Sequence, residues 1–201
     1  NCFGSKLLED IIVATDDKRI LKAVAGFGGN AVMTSGRHKS GTDRIGEAAK
    51  LRNLDIGSCG IIVNIQGDEP FVDPRNIDKA IKPLLEDKSL NVSTLCFRIT
   101  DKAEINDPNI VKVVFDNNGF ALYFSRSPVP LDRDNRKNTA CYKHIGLYVY
   151  RKSFFDKLVK MRPTKLELTE KLEQLRILEN GERIKVIETR IDSHSVDTKA
   201  D

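Results

Sequence analysis

The segment 60–66 limits the fold of this chain more than any other stretch of its sequence. It reads Gly-Ile-Ile-Val-Asn-Ile-Gln, and its apolar character is nearly continuous. Such a run is typical of a strand that is buried on both faces of a parallel sheet. Short apolar runs alternate with stretches of helical periodicity through the first half of the chain. The sequence therefore predicts an α/β fold.

The second half of the chain has a different pattern, in which apolar and polar side chains alternate along shorter strands. Asn117-Asn118-Gly119 predicts a hairpin turn between two of these strands, because Asn and Gly tolerate positive φ. We expect one domain over residues 1–201 with a mixed sheet, and a small antiparallel elaboration at 92–150. Predicted strands cover 11–14, 31–34, 60–66, 92–98, 110–116, 120–125, 145–150 and 184–189, and predicted helices cover 17–27, 43–52, 74–86, 151–161 and 166–180.

Composition and charge exclude several classes of protein. Of the 201 residues, 40% are hydrophobic and 31% are charged, a balance typical of a globular chain. No apolar run approaches the about 18 residues of a membrane helix. The 33 basic and 29 acidic residues are mixed rather than gathered in a nucleic-acid-binding stripe. With four scattered cysteines and no signal-peptide pattern, we expect a cytoplasmic protein without membrane insertion or a nucleic-acid partner.

The turn Gln66-Gly67-Asp68-Glu69-Pro70 directly follows the predicted buried strand. Ligands of open α/β sheets bind beyond the carboxyl ends of the strands. A carboxylate on a tight turn can reach a divalent cation, which prefers oxygen ligands. Asp68 is therefore a candidate metal ligand. An acidic turn that caps the following helix is the alternative, and local spacing does not separate the two.

A second carboxylate is expected if Asp68 is a ligand, because one carboxylate rarely holds magnesium alone. Asp192 and Asp197 lie beyond the last predicted strand. The alternative for Asp197 is the N-cap of a helix, a position that aspartate followed by threonine suits well.

Two places in the sequence are candidates for anion binding, one at the start of a predicted helix and one after a predicted strand. The segment 38–44, which contains Ser40 and Gly41, leads into a helix whose N-terminal amides suit an anion or a polar ring edge. An ordinary helix cap would look similar. Arg126 follows a strand, and arginine suits bidentate recognition of a carboxylate.

The polar residues His144, Glu173 and Gln174 have a structural and a functional interpretation. His144 begins an apolar strand, where a structural histidine is the more common outcome. Glu173 and Gln174 fall on the polar side of a predicted helix, and a solvated face is the alternative to a binding role. Signatures such as GxSxG and HExxH do not occur, which argues against the corresponding hydrolases.

Taken together, these segments resemble the 3-deoxy-manno-octulosonate (Kdo) cytidylyltransferase family. The resemblance is carried by HKSGTDR, QGDEP, YFSRSPVP, KHIGLY and LEQLR, within matching pieces that span nearly all 201 residues. It implies a Rossmann-like nucleotide-diphospho-sugar transferase fold and a homodimer. It also implies that CTP and Kdo react to CMP-Kdo and pyrophosphate for lipopolysaccharide biosynthesis. The sugar hydroxyl would attack the α-phosphorus in line, with Mg²⁺ as cofactor.

The resemblance further implies a role for each candidate residue. Two carboxylates match the catalytic magnesium ligands, namely Asp68 and Asp197. The positions that match the CTP side are Ser40, Gly41 and Gln66. The positions that match the Kdo side are Arg126, His144, Glu173 and Gln174.

The sequence departs from this family at its ends. The N-terminal phosphate-binding loop and the last helix of the family have no match here, so we expect a chain that is incomplete at both ends. One alternative function is a noncatalytic nucleotide- or sugar-binding remnant. Another is a different sugar nucleotidyltransferase, such as a sialic-acid cytidylyltransferase.

Overall fold

Six strands form the main sheet of the structure, a computed structural model that describes residues 2–38, 40–52, 57, 60–134 and 139–193. A short 3₁₀ turn covers Cys2–Gly4. The strands are β1 Ile12–Thr15, β2 Asn30–Met33, β3 Ile61–Ile65, β4 Val92–Arg98, β5 Lys112–Phe115, β6 Ala121–Ser125, β7 Tyr142–Arg151 and β8 Lys185–Thr189. The helices are α1 Lys18–Gly26, α2 Gly41–Leu51, α3 Pro74–Glu86, α4 Lys102–Asn106, α5 Lys152–Leu158, α6 Lys165–Glu170 and α7 Leu175–Glu179.

The ten-residue strand β7 organises the main sheet. The strand order is β6-β5-β7-β4-β8, and β3 also pairs with β7. The pair β4–β8 is parallel, whereas β7 is antiparallel to β3, β4 and β5. A separate parallel pair is formed by β1 and β2. These observations confirm the predicted α/β fold with a mixed central sheet, in which β5 and β6 form the hairpin expected around Asn117-Asn118-Gly119.

The strand predicted most strongly, β3, has a different partner from the one that its composition indicates. We expected a parallel neighbour, but β3 pairs antiparallel with β7, from Ile61–Arg151 to Ile65–Leu147. Its apolar character has another cause. Ile62 belongs to the hydrophobic cluster on one face of the sheet, while Val63 packs against the cluster on the other face. Continuous hydrophobicity therefore reports two covered faces and not the direction of the partner.

The core lies on both faces of the main sheet. Because side chains alternate along a strand, successive residues of β7 contribute to different clusters. Tyr148 and Tyr150 pack with residues of α5 and α7, whereas Leu147 and Val149 pack with residues of α3. The site described below lies where this two-faced sheet is interrupted along β7.

The predicted helix 166–180 is two short helices, α6 and α7. Lys171 ends α6 in the left-handed conformation with φ of 56°. The apolar spacing continues across this break, which is why periodicity alone predicted a single helix. As a result, Glu173 and Gln174 do not lie on the polar side of one continuous helix, as the sequence predicted. Gln174 is the N-cap residue of α7 and is buried.

Candidate active site

A gap between two strands on the same side of β7 defines the candidate site. β3 pairs with β7 up to Ile65–Leu147, and β5 pairs with β7 at Lys143. The turn that follows β3 lies against the part of β7 between these pairs, where Gly146 N donates to Glu69 Oε1 at 3.2 Å. The carboxyl end of β3 therefore opens at an interruption of the sheet, a position at which α/β proteins bind ligands.

Glu69 and Asp68 have different tasks in this turn. Glu69 is buried, and it also accepts a hydrogen bond from Ser193 Oγ, so it fastens the turn both to β7 and to the segment after β8. Asp68 is exposed at the tip. The N-cap of α3 is Asp73, whose side chain accepts from Arg75 N. The capping alternative for Asp68 is therefore not met, and Asp68 is an exposed residue of a turn that Glu69 anchors.

The second predicted metal ligand, Asp197, lies outside the described residues. Its neighbour candidate Asp192 forms an ion pair with Lys143, with Nζ and Oδ2 2.9 Å apart. Although burial opposes the charge on Lys143, hydrogen bonds to Glu104 and Asp192 raise its pKa. Within the part of the chain that the structure describes, no group of three or more His, Cys, Asp or Glu side chains is arranged around a metal position.

The structure brings the predicted Ser40-Gly41 turn and Gln66 together. Ser40 is the N-cap residue of α2, and its Oγ accepts from Asp43 N at 3.2 Å. A Cβ atom on Gly41 would lie 2.9 Å from Gln66 Oε1, closer than side chains tolerate. The start of α2 therefore lies against the end of the Gln66 side chain, which follows β3, and the two predicted CTP-side elements form one surface.

Glu173, which was predicted for the Kdo side, borders this surface. Its Oε2 accepts from Thr42 Oγ1 at 2.9 Å, and Arg176 Nη2 lies 3.7 Å from its Oε1. Burial raises the pKa of Glu173, while hydrogen bonds from the Thr42 and Ser40 side chains act in the opposite direction. Glu173 therefore connects the start of α2 to the α6–α7 region.

Arg126 directly follows β6. Hydrogen bonds to Glu170 and Pro108 hold its backbone N–H and its guanidinium. Its N donates to Glu170 Oε2 at 3.0 Å, and its Nε donates to Glu170 O at 2.9 Å. Its Nη1 donates to Pro108 O at 2.9 Å. Within the described residues Nη2 makes no hydrogen bond, so one edge of the guanidinium remains available for an anionic group.

His144 lies partly buried in the sheet as a neutral ring. Its Nε2 is 2.9 Å from Thr94 Oγ1, which also lies 2.7 Å from Leu147 O. A hydroxyl has one proton, and the carbonyl can only accept, so Thr94 donates to Leu147 O and His144 Nε2 carries the ring proton. The other ring nitrogen, Nδ1, is then an acceptor. Burial lowers the pKa of His144 to about 3, which excludes it as a cation near neutral pH.

This burial predicts an acid sensitivity that belongs to His144. Its pKa is lowered on folding from 6.5 to about 3. The stability contributed by the neutral ring is therefore complete above pH 6.5 and is lost as the pH falls toward 3. We expect a loss of about 2 kcal/mol between pH 7 and pH 5 from this group. Urea unfolding of the wild type and of His144→Gln at both pH values measures the difference, and equal losses in the two proteins would contradict the assignment.

Two buried residues of this region were missed in the sequence. Asn64 on β3 pairs in register with Tyr148 on β7, and its Oδ1 accepts from Gln66 Nε2 at 3.3 Å. Asn64 Nδ2, Tyr148 Oη and Glu173 Oε1 are buried without a hydrogen bond in the described structure. Asn64 interrupts an apolar run, which was a usable signal, whereas tyrosine is common in strands. Buried polar atoms normally have partners, so these atoms indicate a place for polar ligand groups.

The sequence of this chain is similar to those of known proteins. The profile of a family described as cytidylyltransferase matches residues 1–184. The 3-deoxy-manno-octulosonate cytidylyltransferase of Geotalea daltonii is 52% identical over 98% of this chain and 80% of its own length. The enzyme of the same name from Geobacter sulfurreducens is 50% identical over 98% of this chain and 81% of its own.

One solved structure resembles the present one over nearly the whole length of this chain. It is a CMP:2-keto-3-deoxy-manno-octonic acid synthetase in complex with CTP, and it superimposes with a TM-score of 0.89 at 37% identity. The match covers 99% of this chain and 80% of that protein. The sequence profile, the full-length relatives and the shared fold lead to one conclusion: this chain belongs to the cytidylyltransferase family.

Proposed function

We propose that this chain transfers a cytidylyl group from CTP to Kdo and releases pyrophosphate. The observation that carries the proposal is that the start of α2 contacts two distant residues: Gly41 lies against Gln66 at the carboxyl end of β3, and Thr42 donates a hydrogen bond to Glu173. Gly41, Gln66 and Glu173 come from three distant parts of the chain, and each lies at a position that the family resemblance assigns to a substrate. The relatives of about 50% identity carry the name of this activity, and the solved structure of the synthetase contains CTP.

The CTP side of the proposed site is the surface formed by Ser40, Gly41 and Gln66. The amide of Gln66 offers both a donor and an acceptor, which suits the polar edge of a cytosine ring. Its position is restricted, because Nε2 donates to Asn64 Oδ1 and Oε1 lies against Gly41. We infer that this surface binds the nucleoside and leaves the triphosphate near the exposed tip at Asp68.

We propose Mg²⁺ as the cofactor and Asp68 and Asp197 as the residues that hold it. Asp68 suits a hard cation because it presents carboxylate oxygens from an exposed turn that Glu69 anchors. Ser193, which precedes Asp197, donates to the same Glu69 and so connects the segment after β8 to this turn. Bound there, Mg²⁺ would neutralise phosphate charge and lower the pKa of the attacking sugar hydroxyl.

The Kdo side of the proposed site contains one cationic residue and three residues suited to hydroxyl groups. Arg126 would bind the sugar carboxylate through its available Nη2 edge. His144, with an acceptor at Nδ1, and the side chains of Glu173 and Gln174 would receive or donate hydrogen bonds to hydroxyls. With a pKa of about 3, His144 is too weak a base to take the sugar proton near neutral pH, so its proposed task is orientation of the sugar.

Arg126→Lys is expected to weaken Kdo binding while CTP binding changes little. Lysine keeps the charge but loses the planar fork and the two carbonyl contacts that orient it. We expect KM for Kdo to rise about tenfold or more, as for loss of a charge-assisted hydrogen bond. Steady-state kinetics with each substrate varied in turn measures this. A rise in KM for CTP with KM for Kdo unchanged would show that the two substrate sides are assigned the wrong way round.

The activity is tested by pyrophosphate release from CTP, Kdo and Mg²⁺. A substrate panel with sialic acid, hexose phosphates and UTP separates Kdo transfer from other nucleotidyl transfer. Binding of CTP without turnover of any acceptor would favour a noncatalytic binding protein. Turnover with sialic acid in preference to Kdo would indicate a sialic-acid cytidylyltransferase.

We also propose that the protein is a cytoplasmic homodimer whose product enters lipopolysaccharide biosynthesis. The described part of the chain contains no helix with the length and hydrophobicity to cross a membrane. β6 is the terminal strand in the strand order of the main sheet, and its start is bridged to β8 at Phe120–Lys185. The rest of its outer edge, where Leu122 is 63% exposed, supports association with a second copy. Sedimentation of the wild type and of Leu122→Lys tests the dimer, and a monomeric wild type would exclude it.

A further inference from the structure

Lys112, the first residue of β5, is a completely buried lysine that the proposed reaction does not use. Its Nζ donates to three backbone carbonyls, those of Asp107 and Ile110 at 2.8 and 2.6 Å and that of Arg126 at 2.6 Å. An ammonium group has three protons and no acceptor. All three donors are therefore used to hold backbone, and a buried cation at such a place has a specific structural task.

The three carbonyls belong to the two segments that meet at the Arg126 guanidinium. Arg126 O is held directly, and Asp107 O and Ile110 O lie on either side of Pro108. Pro108 O in turn accepts from Arg126 Nη1 at 2.9 Å. The Lys112 ammonium thus fixes both the backbone from which the arginine extends and the loop on which its side chain rests.

Glu170 fixes the opposite side of the same arginine. Its carboxylate accepts from Arg126 N, and its carbonyl accepts from Arg126 Nε. Lys112 and Glu170 together leave Arg126 few alternative orientations. Preorganisation of this kind lowers the entropy that a binding group loses when it meets its ligand.

We propose that Lys112 is a positioning residue that aims the Arg126 guanidinium at the carboxylate of the sugar substrate. This inference rests on the proposed function, since it assigns Lys112 to the acid-sugar side of that site. Lys112 does not touch the substrate and acts only through Arg126 and residues 107–110. A shorter or apolar side chain would release the loop and the arginine together.

The groups around Lys112 act in opposite directions on its pKa. Burial lowers its pKa, and Arg126 acts in the same direction, whereas the carboxylates of Asp107 and Glu170 oppose the shift. The neutral amine would have two protons for three carbonyls, so one carbonyl would lose its donor. The three short contacts therefore depend on the protonated form.

The test compares Lys112→Met with Arg151→Met. Arg151 is a matched control because it is also a buried cation that donates to backbone carbonyls, those of Leu84, Asp87 and Leu90, without contacting Arg126. We expect both variants to lower the melting temperature. Only Lys112→Met should raise KM for Kdo, by about tenfold or more, the order expected when contacts of a charged group are lost. The dissociation constant for CTP should stay within about twofold in both.

A double variant separates positioning of Arg126 from general loosening of the fold. If Lys112 acts through Arg126, then Lys112→Met in the Arg126→Lys background should change KM for Kdo much less than in the wild type. The proposal would be overturned if the two substitutions multiplied their effects on KM for Kdo in the double variant. It would also be overturned if Lys112→Met raised KM for CTP as much as KM for Kdo. Lys112→Gln, which keeps one or two donors, serves the same cycle if the methionine variant does not fold. A wild type that makes no CMP-Kdo would instead refute the proposed function.

Discussion

Asp68→Asn is expected to lower kcat by about 100-fold or more while leaving the melting temperature nearly unchanged. The exchange keeps the shape of the side chain but removes the carboxylate charge proposed to hold Mg²⁺. Asp68 is exposed, and the contacts that anchor the turn, from Glu69 to Gly146 N and Ser193 Oγ, remain in the variant. Pyrophosphate release over a range of Mg²⁺ concentrations, with thermal melts, measures both effects.

Glu86→Gln is the control for this experiment, because Glu86 is an exposed carboxylate at the end of α3. It should retain the kcat of the wild type. A further readout is independent of turnover: Mg²⁺-dependent enhancement of CTP binding, followed by calorimetry, should be reduced in Asp68→Asn. Near-normal kcat at saturating Mg²⁺ would remove Asp68 from the metal site.

Arg176→Met is expected to cause the largest loss of stability among the substitutions considered. Arg176 Nε and Nη2 form two hydrogen bonds with the Glu167 carboxylate, and the two side chains are only 6% and 11% exposed. Removal of Arg176 leaves the buried Glu167 carboxylate without its cationic partner, which costs about 3–5 kcal/mol. In a chain of this length that corresponds to a fall in melting temperature of about 10 °C. Differential scanning calorimetry measures it.

The control for Arg176→Met is Lys165→Met, which removes an exposed cation at the start of the neighbouring helix α6. It should change the melting temperature by no more than about 2 °C, as expected for a surface side chain. The double variant Arg176→Met/Glu167→Leu removes both charges and should recover much of the loss. If Arg176→Met melts like Lys165→Met, the Arg176–Glu167 pair does not stabilise the junction of α6 and α7.

The α/β fold and the chemistry of the candidate residues were readable in the sequence. Helix α3 was predicted at its observed bounds, because a proline in the first turn and the apolar spacing agree there. The strand β4 was likewise predicted at 92–98. These elements depend on local propensity and on which faces are covered, and residues close together in the sequence determine both properties.

Two features could not be predicted from the sequence: the antiparallel pairing of β3 with β7, and the break between α6 and α7. A strand covered on both faces has the same composition whether its neighbour is parallel or antiparallel, and β7 lies about eighty residues further along the chain. The left-handed Lys171 interrupts a helix without interrupting its apolar spacing. Both features depend on partners that are distant in sequence.

The sequence by itself determined which residue types are available for nucleotidyl transfer, in Ser40, Gly41, Gln66, Asp68 and Arg126. Only the tertiary structure decided how they are arranged: that Gly41 touches Gln66, that Glu69 rather than Asp68 anchors the turn, and that Lys112 holds the backbone of Arg126. The reason is physical. Propensity and periodicity act over a few neighbouring residues, whereas these contacts arise where separate elements meet along β7 and bury their polar groups against one another.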